Sequence, residues 1–202
     1  MEFINVFDYI GIVAFAMTGV LKGIKHRLDI FGFLVLAVFT ALGGGLIRDT
    51  LLGVKPPMAF QNHYYWWIIV GTVILTMLLR RSKLLNDDSL TLNTADAVGL
   101  AAFTFIGCKV AYEIGVGGPG VIFCGVLTAV GGGVIRDLLV SEIPLILRVS
   151  LYAPASLLGA VCFYAAHLLG MPPLLNAVIT FAAVFVLRML SILKKWNLPK
   201  YE

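Results

Sequence analysis

Apolar residues along this chain fall into seven long blocks separated by short polar breaks. The blocks cover approximately residues 4–21, 30–54, 66–81, 94–113, 119–141, 149–169 and 174–193. At ~1.5 Å rise per residue, blocks of this length are those an α-helix needs to cross about 30 Å of hydrocarbon. A membrane barrel would instead show shorter, alternating segments. Pro56, Pro57 and Pro144 stop the second and fifth blocks, and Pro119 suits the first turn of the fifth. His63-Tyr64-Tyr65-Trp66-Trp67 reads as an aromatic belt where the third block meets the interface. The pattern predicts an all-α integral membrane protein with seven transmembrane helices.

Shifted by 88 residues, the chain aligns to itself without a gap. Asn5, Asp8, Gly11, Ala14, Phe15 and Gly19 match Asn93, Asp96, Gly99, Ala102, Phe103 and Gly107. Thr40-Ala41 matches Thr128-Ala129, GGGLIRD (Gly43 to Asp49) matches GGGVIRD (Gly131 to Asp137), and Pro56 matches Pro144. The identities concentrate in Gly, Asp, Arg and Pro, whereas chance similarity between apolar blocks would favour Leu, Ile and Val. The chain therefore reads as one domain over 1–202, built from repeat one (1–86), repeat two (87–172) and a lone seventh helix (173–195). Three spans per unit make the second copy enter the membrane from the opposite face, an inverted repeat.

The glycine clusters fall near the middle of the second and fifth blocks. Three successive glycines weaken a helix, so a kink is expected in both. Helical side chains lean toward the N-terminus, so Arg48 and Asp49 project back over the bare surface of Gly43, Gly44 and Gly45. Arg136 and Asp137 do the same over Gly131, Gly132 and Gly133. If a bend loosens the helix, the backbone carbonyls of Gly43, Gly44, Gly131 and Gly132 become candidate Na⁺ or K⁺ ligands. Three readings of the Arg–Asp pairs stand open: interfacial pairs ending shorter spans, structural pairs joining helices, or the rim of a polar pathway. Ionisable groups inside spans are costly and default to function, which favours the third.

Other intramembrane polar groups join the candidates. Asp8 and Asp96 either cap the starts of spans one and four or face the pathway. Thr40 and Thr128 either bond their own helix backbone or face the cavity. Lys109 pairs with Glu113 one turn on or projects into the pathway, and Arg188 is expected to snorkel to the cytoplasmic interface.

Composition agrees with the pattern: 60% hydrophobic, 13% charged, mean hydropathy +0.97. Glu2 and Asp8 replace the basic start of a signal peptide, so the first block is expected to be retained. Twelve Lys/Arg (Lys22, Lys25, Arg27, Arg80, Arg81, Lys83, Arg136, Arg148, Arg188, Lys194, Lys195, Lys200) fall on one side. Three (Arg48, Lys55, Lys109) fall on the other, placing the N-terminus outside and the C-terminus in the cytoplasm. The pI near 9 follows from these span-end cations and calls for no nucleic acid. Cys108, Cys124 and Cys162 lie within apolar blocks and form no zinc or disulfide pattern. No nucleophile–base set or cofactor loop points to an enzyme, and no cofactor is expected beyond a permeant ion.

At the two GGGxxRD clusters, in a duplicated three-span unit followed by a lone seventh span, the chain resembles the prokaryotic branch of the trimeric intracellular cation (TRIC) channel family. Members of that branch also carry a "glycine transporter" domain label. The resemblance implies a homotrimer among membrane lipids, with one pore per protomer around bent second and fifth helices. It further implies passive permeation of K⁺ and also Na⁺ across the plasma (inner) membrane of a prokaryote. The animal members depart in the second-span motif, so their lipid site is not carried over. The alternative is a secondary transporter of a small zwitterion such as glycine, whose carboxylate and ammonium an Arg–Asp pair would clamp.

Overall fold

The computed structural model describes residues 2–81, 89–148 and 151–196, and every regular element among them is a helix. In chain order these are α1 (Glu2–Lys25), α2 (Ile30–Leu51), α3 (Met58–Gln61), α4 (Tyr64–Arg81) and α5 (Ser89–Glu113). They continue with α6 (Gly118–Leu139), α7 (Leu145–Arg148), α8 (Ala153–Leu168) and α9 (Pro173–Lys194). The seven longer helices fall on the seven apolar blocks. Of these, α1, α2, α5, α6 and α9 are long and apolar enough to cross a membrane, while α4 and α8 are shorter apolar helices. Lys83 and Lys200 of the charge count lie outside the described residues.

Local chemistry sets the helix ends. Asp29 caps α2, accepting the Gly32 amide at 2.7 Å, and Pro119 occupies the first turn of α6. The expected extension of α2 to residue 54 does not occur. Gly53 turns left-handed (φ 71°), and the Val54 amide returns to the Asp49 carbonyl at 2.9 Å. Repeat two ends α6 identically: Ser141 takes φ 56° and the Glu142 amide bonds the Asp137 carbonyl at 2.9 Å. Gly53 and Ser141 are 88 residues apart, so the same C-terminal cap serves both copies although only one carries the residue that favours it.

The duplicated glycines mark where helices touch. A Cβ on Gly44 would collide with the Thr128 carbonyl, and one on Gly132 with the Thr40 carbonyl. These contacts are reciprocal and run in opposite chain directions, so α2 and α6 cross antiparallel about a local two-fold. The same relation joins α1 to α5: Gly11 packs on the Phe103 ring and Gly99 on the Phe15 ring. Those two rings meet edge to face at 5.2 Å. Within each repeat, Gly19 seats on the Leu36 carbonyl and Gly107 on the Cys124 carbonyl, each at 2.7 Å from a would-be Cβ. Small residues at these points bring the helix backbones together, the usual route to helix association in lipid.

Both helices remain helical through their glycine runs. The carbonyls of Gly43, Gly44, Gly131 and Gly132 therefore lie within continuous helix, where the amide four residues on is the regular partner. In α2 and α6 the central glycines are used for close approach between helices. Outside the four-helix centre, α4 leans on α1 and α2, α8 on α6 and α5, and α9 packs against α5 and α8.

Gly44→Ala and Gly132→Ala each force a methyl into a backbone carbonyl that cannot swing away. We expect each to lose at least about 1–3 kcal/mol by overpacking. Gly45→Ala meets only Arg48 Nη2, at 3.7 Å, and should be neutral or slightly stabilising. Thermal unfolding of the purified protein in detergent distinguishes the three.

Candidate functional site

Arg48 and Asp49 stand in the last turn of α2, one turn beyond the glycine crossing. Arg48 donates from Nε and Nη2 to Asp49 Oδ1 at 2.9 and 2.6 Å. Asp49 Oδ2 accepts the Met58 amide at the start of α3 at 2.8 Å, so the carboxylate ties the guanidinium to the loop that follows α2. Asp8 on α1 is taken by the Tyr65 hydroxyl of α4. Asp8, Arg48, Asp49 and Tyr65 border a cavity of about 40 Å³ together with Ile12, Gly45 and Thr128, room for about a water or two. This half-site has two carboxyl groups facing one guanidinium.

The second half-site has the same parts in a different arrangement. Arg136 donates from Nε to Asp137 Oδ1 at 3.0 Å. Its Nη1 reaches both Asp96 Oδ1 and Thr18 Oγ1 at 2.9 Å. Asp137 Oδ2 accepts the Leu145 amide at 3.0 Å. Lys22 adds a second cation, 3.3 Å from Asp137 and 2.8 Å from Glu142. Arg136, Asp96 and Asp137 are wholly buried, so their charges are held by one another and by Lys22.

The divergence follows from substitutions at equivalent positions. Thr18 and Lys22 correspond to Ile106 and Val110, and Tyr65 corresponds to Ala153. In repeat two, Arg136 therefore gains a hydroxyl and Asp137 a lysine from α1, while Asp8 of repeat one gains a tyrosine from α4. Tyr65, Thr18 and Lys22 enter the site only in the folded structure. Their signal in the sequence is a polar residue that breaks the 88-residue register, set among positions that keep it.

The remaining candidates fall in different places. Thr40 and Thr128 bond their own helix, to the Leu36 and Cys124 carbonyls at 2.5 and 2.6 Å. Asp8 and Asp96 lie two turns inside α1 and α5, too far from the helix starts to cap them. Lys109 pairs with Glu113 and does not line the cavity. Arg188 does not snorkel to a surface: it is 1% exposed, with its guanidinium carbon 4.9 Å from the centre of the Tyr152 ring.

Outside the spans, Glu142 gathers Lys22, Lys25, His26 and Arg148, with His26 Nε2 at 2.7 Å. Burial pushes its carboxyl upward. The hydrogen bonds from Lys22 and His26 and the charges of Lys22 and Lys25 outweigh this and hold it down at about 2. A depressed carboxyl stabilises the fold above its unfolded value, near 4.5, and that contribution is lost as pH falls toward 2. Acid unfolding between those values should be weaker in Glu142→Gln than in the parent, read from the pH dependence of the melting temperature.

Arg136→Met leaves Asp96 and Asp137 buried with only Lys22 for compensation. It should cost about 3–5 kcal/mol, the usual range for breaking a buried pair. Arg48→Met uncovers one carboxylate beside a cavity that admits water and should cost less. Denaturation of the two variants side by side gives the order.

The sequence model of the family described as "Glycine transporter" matches this chain twice, over residues 5–81 and 93–168. A UPF0126 membrane protein from Deinococcus radiodurans is 44% identical over 156 residues, 76% of this chain and 71% of the relative. The UPF0126 inner membrane protein YadS of Escherichia coli K12 is 38% identical over 191 residues, 95% of this chain and 91% of its own. Among solved structures, the TRIC channel orthologue from Rhodobacter sphaeroides superposes with a TM-score of 0.91 at 34% identity, covering 97% of this chain and 100% of that one. A second TRIC cation channel gives 0.88 at 38% identity, over 98% and 97%. The two family matches start 88 residues apart, the shift at which the glycine, arginine and aspartate positions coincide, and the chain belongs to the prokaryotic TRIC channel family.

Proposed function

We propose that this chain is a passive channel for monovalent cations, K⁺ above all and also Na⁺, and works as a homotrimer with one pore per protomer. The supporting observation is the polar cavity beside the α2–α6 crossing, where the carboxyl groups of Asp8 and Asp49 face the single guanidinium of Arg48. Such a site favours a cation. Pairing with Asp49 keeps the Arg48 charge from opposing it. The solved relatives named as cation channels support the same reading.

In this proposal all seven longer helices span the membrane, α4 and α8 with a tilt or local thinning that their length requires. The N-terminus faces outward and the C-terminus the cytoplasm of a prokaryotic inner membrane, as the distribution of Lys and Arg directs. Conduction needs α2 and α6 to bend at their glycines. This frees the carbonyls of Gly43, Gly44, Gly131 and Gly132 for the ion and leads it past Arg136, Asp96 and Asp137 in the second half-site. Arg48 and Arg136 tune the field and hold the aspartates in place.

A unit charge at ~6 Å and an effective dielectric constant of ~20 is worth about 3 kcal/mol. Asp8→Asn should therefore lower K⁺ conductance by at least about tenfold without unfolding the protein. Purified protein in planar bilayers with K⁺, Na⁺ and Cl⁻ gradients gives current and reversal potential together. Ohmic, cation-selective current supports the channel. Saturable glycine uptake with counterflow, and no current, overturns it in favour of a transporter.

A further inference from the structure

Helix α9 lies outside the repeat, yet it carries a charge into the second half-site. Its buried face runs Asn176, Thr180, Val184, Arg188, Ser191. The first polar members are satisfied: Asn176 donates to the Phe163 carbonyl at 3.1 Å, and Thr180 bonds Asn176 at 3.2 Å. Arg188 is not. It is 1% exposed, its Nε and Nη1 have no hydrogen-bond partner, and among the described residues no carboxylate lies within ion-pair distance of it. Its guanidinium carbon lies 4.9 Å from the centre of the Tyr152 ring, whose hydroxyl is directed to Asp96.

Among the described residues none of the neighbouring acids pairs with it. Asp96 and Asp137 already face Arg136 and Lys22, two carboxylates against two cations. Glu142 is held by Lys22, Lys25, His26 and Arg148. Arg188 is thus the unmatched cation of a buried cluster. A guanidinium keeps its proton under all ordinary conditions, so it cannot escape by neutralising. A cation–π contact leaves its N–H groups unsatisfied, and a buried charge in that condition is unstable without a counter-charge.

We propose that Arg188 binds a small monovalent inorganic anion, of the chloride and bromide class, against Tyr152. The anion accepts from Nε and Nη1 of the guanidinium, the two donors that have no partner in the protein. The position is set off from the α2–α6 crossing, on a helix with no counterpart in the first repeat. A resident anion there balances the charge of the cluster.

The test compares purified protein in potassium chloride with the same protein in potassium gluconate at equal K⁺ and ionic strength. The melting temperature should be several degrees higher in chloride. The difference should vanish in Arg188→Gln and persist in Tyr152→Phe, which keeps both the charge and the ring. Crystals grown in potassium bromide should give an anomalous peak between Arg188 and Tyr152. Equal melting temperatures in the two salts overturn the proposal, as does a bromide crystal with only water at Arg188. If Arg188→Gln does not fold, the wild-type salt comparison and the bromide peak still decide. None of these readouts depends on conduction, so their failure leaves the channel proposal standing.

Discussion

The structure depends on the crossing of two helix backbones in which neither partner has room for a side chain. Gly44 lies against the carbonyl of Thr128, and Gly132 against that of Thr40. Any other residue at either position separates α2 from α6. The remaining glycine contacts, Gly11 and Gly99 on facing phenylalanines and Gly19 and Gly107 on facing carbonyls, then lose their register too. In lipid, where apolar surface gives helices little reason to associate, this close fit does the work that a hydrophobic core does in water.

Fixing the crossing also fixes the charges. Arg48 and Arg136 stand one turn beyond it on their respective helices, so symmetry delivers an Arg–Asp pair to each side of the junction. The surroundings then make the two sides unequal. Thr18 bonds Arg136 and Lys22 faces Asp137 in the second half-site, while Tyr65 bonds Asp8 beside the first pair. A duplicated scaffold has thereby acquired one closed, balanced half-site and one that borders a cavity. In the proposed channel this divergence matters, because only the half-site beside the cavity sets two carboxyl groups against a single cation.

Much of this was legible in the sequence, for physical reasons that can be named. The apolar blocks gave the helices because helix length in a membrane is set by hydrocarbon thickness. The 88-residue shift gave the repeat because Gly, Arg, Asp and Pro are not interchangeable with aliphatic residues. The purpose of the glycines was less legible. A Gly-Gly-Gly run predicts a weak helix, and only the neighbouring helix reveals that Gly44 and Gly132 are there for lack of a Cβ. Of the two readings of Asp8 and Asp96, capping fails because α1 and α5 begin at Glu2 and Ser89, well before them. Arg188 looked like an interfacial residue because hydropathy gives depth along a helix but not which face is covered. Lys22 was counted as a loop cation, yet its ammonium reaches inward to Asp137, and no single-sequence pattern encodes that turn of the side chain.

The central claim is that ions cross each protomer through the cavity beside the α2–α6 junction. Cysteine accessibility tests it most directly, in a background lacking Cys108, Cys124 and Cys162. Met58 lines the cavity, whereas Val70 on α4 lies on the outer surface of the protomer. A charged thiol reagent should abolish most of the single-channel K⁺ current in Met58→Cys and leave Val70→Cys unchanged. Complete labelling of Met58→Cys with an unaltered current would contradict the account.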